Sequence, residues 1–278
     1  MSTLYVVGTP IGNLEDITLR AIRILSEVNL IVCEDKRITS RLLNKYNIKT
    51  LMTSYNDYNK ISKLDYILAQ LKKGNLALVS DAGVPCINDP GQELIISAIK
   101  SGFEVVPIPG VSSITTAISI SGMIFDQWIF LGFLPKQNSK RVKLFDSIKD
   151  EKRVIILLES PHRILSCFKF LLDKLGDRKI TVCREMTKLY EDIFRGKISE
   201  AIDEFKNPKG EFIILLEGLN TNIIENEPNY SDILDILKEM DTSELKTKEI
   251  VNNVSNRIGV SKRNVYKIWL DLKKEHEK

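Results

Sequence analysis

Histidine, tryptophan and cysteine are scarce in this chain: two, two and four residues among 278. Two histidines cannot build a conventional metal cluster, and no metal is expected. The cysteines, Cys33, Cys86, Cys167 and Cys183, form no C-x-x-C pair and no zinc spacing. They read as reduced, mostly structural thiols of a cytoplasmic protein. No apolar run approaches the ~20 residues that a bilayer crossing needs, so no membrane is expected as a partner. Leu4–Val7, broken at once by Gly8 and Pro10, reads as a buried strand rather than the apolar region of a signal peptide. An excess of one charge is lacking too. With 40 basic residues against 37 acidic, the net charge of +3 does not by itself argue for nucleic acid.

What is present is a regular alternation. The apolar runs Leu4–Val7, Leu30–Cys33, Leu76–Val79 and Val105–Ile108 alternate with helical patterns over Leu14–Val28, Lys60–Lys72 and Gln92–Lys100. Solid apolar runs separated by helices of this length predict βαβ units and a largely parallel sheet. The pattern restarts near Gly122, with strands expected at Trp128–Phe133, Val154–Leu158, Ile180–Cys183 and Phe212–Leu216, the connection from Cys183 to Gly210 containing Ile193–Gly196 and a short helix near Ser199–Phe205. Short connections there allow antiparallel pairs, so this second sheet is expected to be mixed. Two α/β domains follow, over residues 1–122 and 123–219, then a linker over 220–231 and a small helical domain over 232–278.

The tail divides by charge. Residues 225–244 hold seven acidic residues and one basic, and residues 246–278 hold nine basic and four acidic. Ile250, Val251, Val254 and Ile258 mark one helix, stopped by Gly259. Ser261 can cap a second helix carrying Val265, Ile268, Trp269 and Leu272. The pair has the look of a helix-turn-helix, with Lys262, Arg263 and Lys267 either presented to nucleic acid or lying on a solvated face.

Three glycine- and proline-bearing loops follow strands: Gly8–Leu14, Ser80–Pro85 and Pro107–Ser113. Ligands of open α/β sheets bind outside the carboxyl ends of the strands, where such loops lie. Neither G-x-G-x-x-G nor a Walker lysine is present, which weakens nicotinamide and phosphate-loop readings. A cleft lined by backbone amides and carbonyls suits a neutral purine-bearing cofactor better than a polyphosphate. Ser112 or Ser113 can cap the helix expected over Ile114–Ser121, and Ser160 one beginning near Pro161.

The ordered blocks Gly8–Asn13, Glu34–Arg37, Ser80–Pro85, Pro109–Ser113, Gly132–Pro135, Glu159–Arg163, Arg184–Lys188 and Gly210–Glu211 resemble the tetrapyrrole methylase superfamily. The similarity is greatest to its bacterial members that 2'-O-methylate a cytidine in the decoding region of 16S ribosomal RNA. The chain departs from the usual blocks at Lys36, Val111, Ser113, Leu157 and Leu158, and Lys36 adds a cation beside the expected substrate cleft. The resemblance implies S-adenosylmethionine bound between two α/β domains. It would meet Pro10, Asp81, Ala82, Gly83, Val84, Ser112 and Ser113, and the second domain from near Leu134. It also implies 16S rRNA as substrate and a homodimer. Naked RNA and the assembled 30S subunit both remain open, and the modest net charge favours the shaped surface of the subunit over a generic basic groove.

Methyl transfer to a hydroxyl needs an in-line geometry and a proton acceptor. Glu34, Asp35 and His162 are the candidate acceptors, and Arg37 and Arg163 beside them are candidate contacts to RNA phosphate. Arg184, Glu185 and Lys188 are open to two readings, an ionic brace between domains or an RNA contact. A small-molecule methyltransferase of the tetrapyrrole type has no evident use for a basic helical tail. A nucleic-acid-binding regulator built on the tail alone is the other alternative.

Overall fold

The apolar runs become two unlike five-stranded sheets. The computed structural model describes residues 2–219, 230–240, 247–258 and 262–276. In the first sheet β1 (Thr3–Val7), β2 (Leu30–Cys33), β3 (Met52–Ser54), β4 (Leu76–Val79) and β5 (Glu104–Ile108) lie in the order β3-β2-β4-β1-β5. All pairings are parallel. Every loop leaving a strand therefore emerges on the same edge.

Helices cover the sheet: α1 (Leu19–Glu27), α2 (Lys36–Lys45), α3 (Lys60–Leu71) and α4 (Gln92–Lys100). Two apolar clusters form, one containing Val7, Ile24, Ile31 and Leu42, the other Leu4, Val32, Ile67 and Leu94. The continuous helix expected over Leu14–Val28 is interrupted. A short 3-10 turn covers Leu14–Asp16, and Thr18 then stops it from continuing. The Thr18 Oγ1 accepts from the Ala21 N–H at 3.1 Å, so the residue is an N-cap with extended backbone.

The second sheet joins β6 (Trp128–Phe133), β7 (Val154–Glu159), β8 (Lys179–Arg184), β9 (Asp192–Lys197) and β10 (Phe212–Leu216) in the order β6-β7-β10-β8-β9. β6 runs parallel to β7 and the other pairs are antiparallel, the mixed sheet that short connections imply. The helices α6 (Asn138–Ile148), α7 (Ile164–Leu175) and α8 (Ile198–Glu204) pack on one face around Phe145, Phe168, Leu171 and Ile198.

The other face takes α5 (Ser113–Ser119). Its Ile114, Ala117 and Ile118 cluster with Val154, Ile156, Ile213 and Leu215 of the second sheet. By packing, α5 thus goes with the second sheet, although its sequence position places it in the first domain. Ser112 occupies its N-cap without a side-chain bond. Ser160 does not cap α7 either. Its carbonyl closes a turn to the N–H groups of Arg163 and Ile164, and the helix starts after that turn.

The chain divides into two compact units at Leu219. In the second, α9 (Tyr230–Glu239), α10 (Thr247–Ile258) and α11 (Lys262–His276) enclose a core of their own. Ile233, Leu237, Ile250, Val254, Val265, Ile268 and Trp269 are buried there. α9 begins inside the stretch read as a linker, and it supplies the third side of a core that two helices would lack. Residues 259–261, the expected turn of the helix-turn-helix, lie outside the described residues.

Candidate active site

Strand ends of both sheets converge on one cavity. In the second sheet the register pairs Phe212 with both Glu159 and Arg184, and Phe133 with Leu158. The ends of β6, β7 and β8 and the start of β10 therefore share an edge. Facing it are the loops after β1, β4 and β5. Between them lies a cavity of about 370 Å³, lined on one side by Ile11, Ala82, Asp89 and Ser113, on the other by Phe133, Leu158, Glu159 and Met186. The volume falls within the ~300–1,000 Å³ usual for small-molecule sites. No lysine or arginine lines it.

Close backbone approaches hold the two sides in place. Gly8 and Gly110 lie back to back: a Cβ on Gly8 would be 2.8 Å from the Gly110 Cα. Thr9 and Gly83 exchange backbone hydrogen bonds of 2.8 and 3.1 Å. Gly83 has φ of +80°, which a β-branched residue rarely adopts. Its Cβ would otherwise meet only ordinary contacts, the nearest 3.4 Å away, so strain rather than crowding reserves this position for glycine. Across the cleft, the Asn13 N–H donates to Thr187 Oγ1 at 3.0 Å.

The Arg184–Lys188 and Gly210–Glu211 blocks are braces. Lys188 Nζ bonds Glu185 Oε1 and Glu211 Oε2, each at 2.9 Å, and Arg184 pairs with Asp192 at 3.2 Å. The left-handed residues Glu185 and Thr187, with φ of 50° and 65°, give this loop its turn.

A second, more open cavity of about 440 Å³ adjoins the loops after β2, β3 and β4, lined by Glu34, Asp35, Lys36, Ser54, Asn56, Tyr58 and Asp81. Glu34 is half-buried, and its carboxyl is pushed up to about 6. Desolvation is the main cause, followed by the charges of Asp81 and Asp89. Asp89 is likewise raised to about 6, first by burial.

Asp35 has a different part. It N-caps α2, accepting the Arg37 N–H at 2.8 Å, and takes the Arg37 guanidinium in a forked contact as short as 2.6 Å. Those bonds hold its carboxyl down at about 2, which makes it a poor proton acceptor. Asp81 ties the neighbouring loop in, accepting the Asp35 N–H at 3.0 Å.

The remaining expected site residues scatter. Ala82 and Ser113 line the first cavity, whereas Pro10 and Asp81 line a small recess with Thr39 and Ser80. Gly83, Val84 and Ser112 belong to the cavity's loops without lining either cavity. Leu134 is buried at the end of β6, just beyond Phe133, which does line it. His162 is exposed on its turn and lines neither cavity.

Arg163 does not reach for phosphate. Its Nη2 donates to the Leu134 carbonyl at 2.7 Å and lies 3.3 Å from Glu159 Oε2, an ion pair rather than an aligned hydrogen bond. Arg37, 88% exposed at its side chain, stays at the surface. Lys262 and Lys267 are exposed on α11, and the Arg263 side chain lies outside the described residues. Tyr58 and Asn56 were not legible as site residues, because β3 is only three residues long and carries no apolar run.

Among the described residues no group of three or more His, Cys, Asp or Glu is placed to hold a metal ion, and no helix is long and apolar enough to cross a membrane.

Within one compact unit, a parallel and a mixed five-stranded sheet flank a cavity that no lysine or arginine lines, a two-sheet α/β architecture. Residues 3–202 match the family described as Tetrapyrrole (Corrin/Porphyrin) Methylases, and the chain belongs to it. Among similar proteins is the ribosomal RNA small subunit methyltransferase I of Halalkalibacterium halodurans, 41% identical over 96% of this chain and 94% of that one. The protein of the same name from Thermotoga maritima is 48% identical over 78% of this chain and 99% of its own length. The fold is also that of cobalt precorrin-4 methyltransferase (TM-score 0.61, 18% identity, 77% of this chain and 94% of that one).

Proposed function

We propose that this chain transfers the methyl group of S-adenosylmethionine to the 2'-hydroxyl of a cytidine in 16S ribosomal RNA, within the small ribosomal subunit. The observation that carries the reading is the match, over nearly the whole chain, to small-subunit ribosomal RNA methyltransferases. The first cavity supports the cofactor. It has the size for a nucleoside, apolar walls at Ile11, Phe133 and Leu158, a carboxylate at Asp89, and no lysine or arginine in its lining to oppose a sulfonium, Arg163 behind it being paired with Glu159. When bound, the cofactor supplies a methyl group already activated for in-line transfer to an oxygen.

The chain's own residues then orient and deprotonate. Ile11, Ala82 and Ser113 hold the donor from one side and Phe133, Leu158 and Met186 from the other. Glu34 is the group for the hydroxyl proton, because a carboxyl near 6 is mostly ionised at neutral pH yet still basic enough to accept. Asp35 and Arg37 form a fixed pair at the rim, with Arg37 exposed toward an RNA backbone. Lys262 and Lys267, exposed on α11, are further contacts to phosphate. They belong to the second compact unit and line neither cavity, so their part is to extend binding. A homodimer is part of this reading by family likeness.

The test is deletion of the gene followed by mass spectrometry of nuclease fragments of ribosomal RNA. One 2'-O-methyl mark on a 16S cytidine should vanish and return with the wild-type chain. Persistence of every such mark would refute the reading.

A further inference from the structure

Tyr58 is a large side chain that the fold leaves in water and that nevertheless lines a cavity. It is 101% exposed, yet it lines the second cavity with Glu34, Lys36, Ser54 and Asn56. An aromatic ring held in water gains nothing for folding. The loop that carries it is nevertheless fixed at every step. Tyr55 is 1% exposed in the core, and its N–H donates to the Cys33 carbonyl at 2.8 Å. Asn56 Oδ1 accepts the Tyr58 N–H at 3.2 Å, and Asn59 Oδ1 accepts the Asn56 N–H at 2.9 Å. Lys60 clamps the end of the turn through Asp57 at 3.2 Å and Glu93 at 2.8 Å. The ring is thus presented by a braced turn.

Beside the carboxylates of Glu34, Asp35 and Asp81, the cavity carries groups that can read a base edge. Ser54 Oγ accepts from Lys63 Nζ at 3.2 Å and Asn59 Nδ2 at 3.4 Å. With its lone pairs engaged, its own proton is left to donate. Asn56 contributes an amide and Lys36 an exposed ammonium for a phosphate. Sequence-specific RNA recognition splays single-stranded bases onto aromatic faces and hydrogen-bonds their edges. We infer that the cavity lined by Tyr58, Asn56, Ser54 and Lys36 seats one unpaired nucleotide of the RNA substrate, its base stacked on Tyr58. This brings the ribose of that nucleotide, or of its neighbour, to Glu34 on the same cavity wall. The inference rests on the RNA-methylating activity proposed above and names the subsite that such a substrate would occupy.

The test uses the full chain with Tyr58→Ala, Tyr58→Phe and Tyr58→Trp. Stacking lost to alanine should lower kcat/KM on 30S subunits by about 5- to 150-fold, with unchanged S-adenosylmethionine affinity by calorimetry and unchanged sedimentation. Tyr58→Phe and Tyr58→Trp should keep wild-type efficiency, because the ring and not the hydroxyl is invoked. Wild-type efficiency in Tyr58→Ala would overturn the inference. So would equal damage in Tyr58→Phe, or a defect that tracks a change in oligomeric state and thereby marks Tyr58 as a contact between copies. A second arm needs no turnover: photocrosslinking to short oligocytidylate, mapped by mass spectrometry, should label the 54–58 loop. Crosslinks there in a protein that methylates no ribosomal RNA would sink the activity and leave the subsite standing. Methylation without crosslinks there would do the reverse.

Discussion

Two strand ends each set a glutamate a few residues before an arginine, Glu34 and Arg37 after β2 and Glu159 and Arg163 at the end of β7, and they fold to opposite purposes. After β2 the glutamate is half-buried on a cavity wall among other carboxylates, and the arginine is outside, paired with the cap residue Asp35. After β7 the glutamate is 2% exposed and the arginine turns inward to it and to the Leu134 carbonyl. At one end burial, aided by nearby carboxylates, raises the carboxyl to about 6. At the other a cation is spent on holding a buried carboxylate. The difference lies in what comes next in the chain. Asp35 starts α2 at once and draws Arg37 back over its own cap. Pro161 and His162 make a turn that carries Arg163 round beneath β6. A charged cluster in a sequence thus marks a strand end without saying whether its cation is free.

The largest expected effect breaks the buried pair. Arg163→Ala leaves Glu159 uncompensated, which should cost about 3–5 kcal/mol in chemical denaturation, and Arg163→Ala with Glu159→Gln should recover part of it. A loss in RNA methylation at wild-type stability would instead return Arg163 to the substrate.

A smaller effect should follow pH at the other end. The Glu34 carboxyl is raised from 4.5 to about 6 in the folded protein, so between those values the native state binds more protons than the unfolded chain. Stability should therefore fall as pH rises through this window. Glu34→Gln should flatten that slope, and Asp89→Asn, from a carboxyl also raised to about 6, should flatten it further. Methylation by the wild type should decline below about pH 6 as Glu34 takes up its proton, and Glu34→Gln should lose most activity at every pH. Full activity in that variant would remove Glu34 as the acceptor.

The smallest effect sharpens the contrast from the exposed side. Arg37→Ala should leave the melting temperature unchanged, since surface ion pairs contribute little. It should weaken binding of 30S subunits more at low salt than at high. An unchanged salt dependence would make Arg37 a partner for Asp35 alone.

The sequence by itself determined the strands other than the three-residue β3, their parallel or mixed pairing, and the edge on which the loops gather. Solid apolar runs have no other use than two-sided burial, and parallel connections put every following loop on one side. The helices of the tail were legible for the same reason, in the spacing of Ile250, Val254, Val265 and Ile268. Only the tertiary structure decided the rest. It split the helix at Thr18, attached α5 to the second sheet, and used α9 to complete a third core. It also turned Arg163 inward, took Asp35 as a cap and left Tyr58 bare beside Glu34. Periodicity records which face of an element is buried. Where a charged side chain points depends on local turns together with neighbours far away in the chain, such as the Leu134 carbonyl for Arg163, and hydrophobic periodicity does not carry that information.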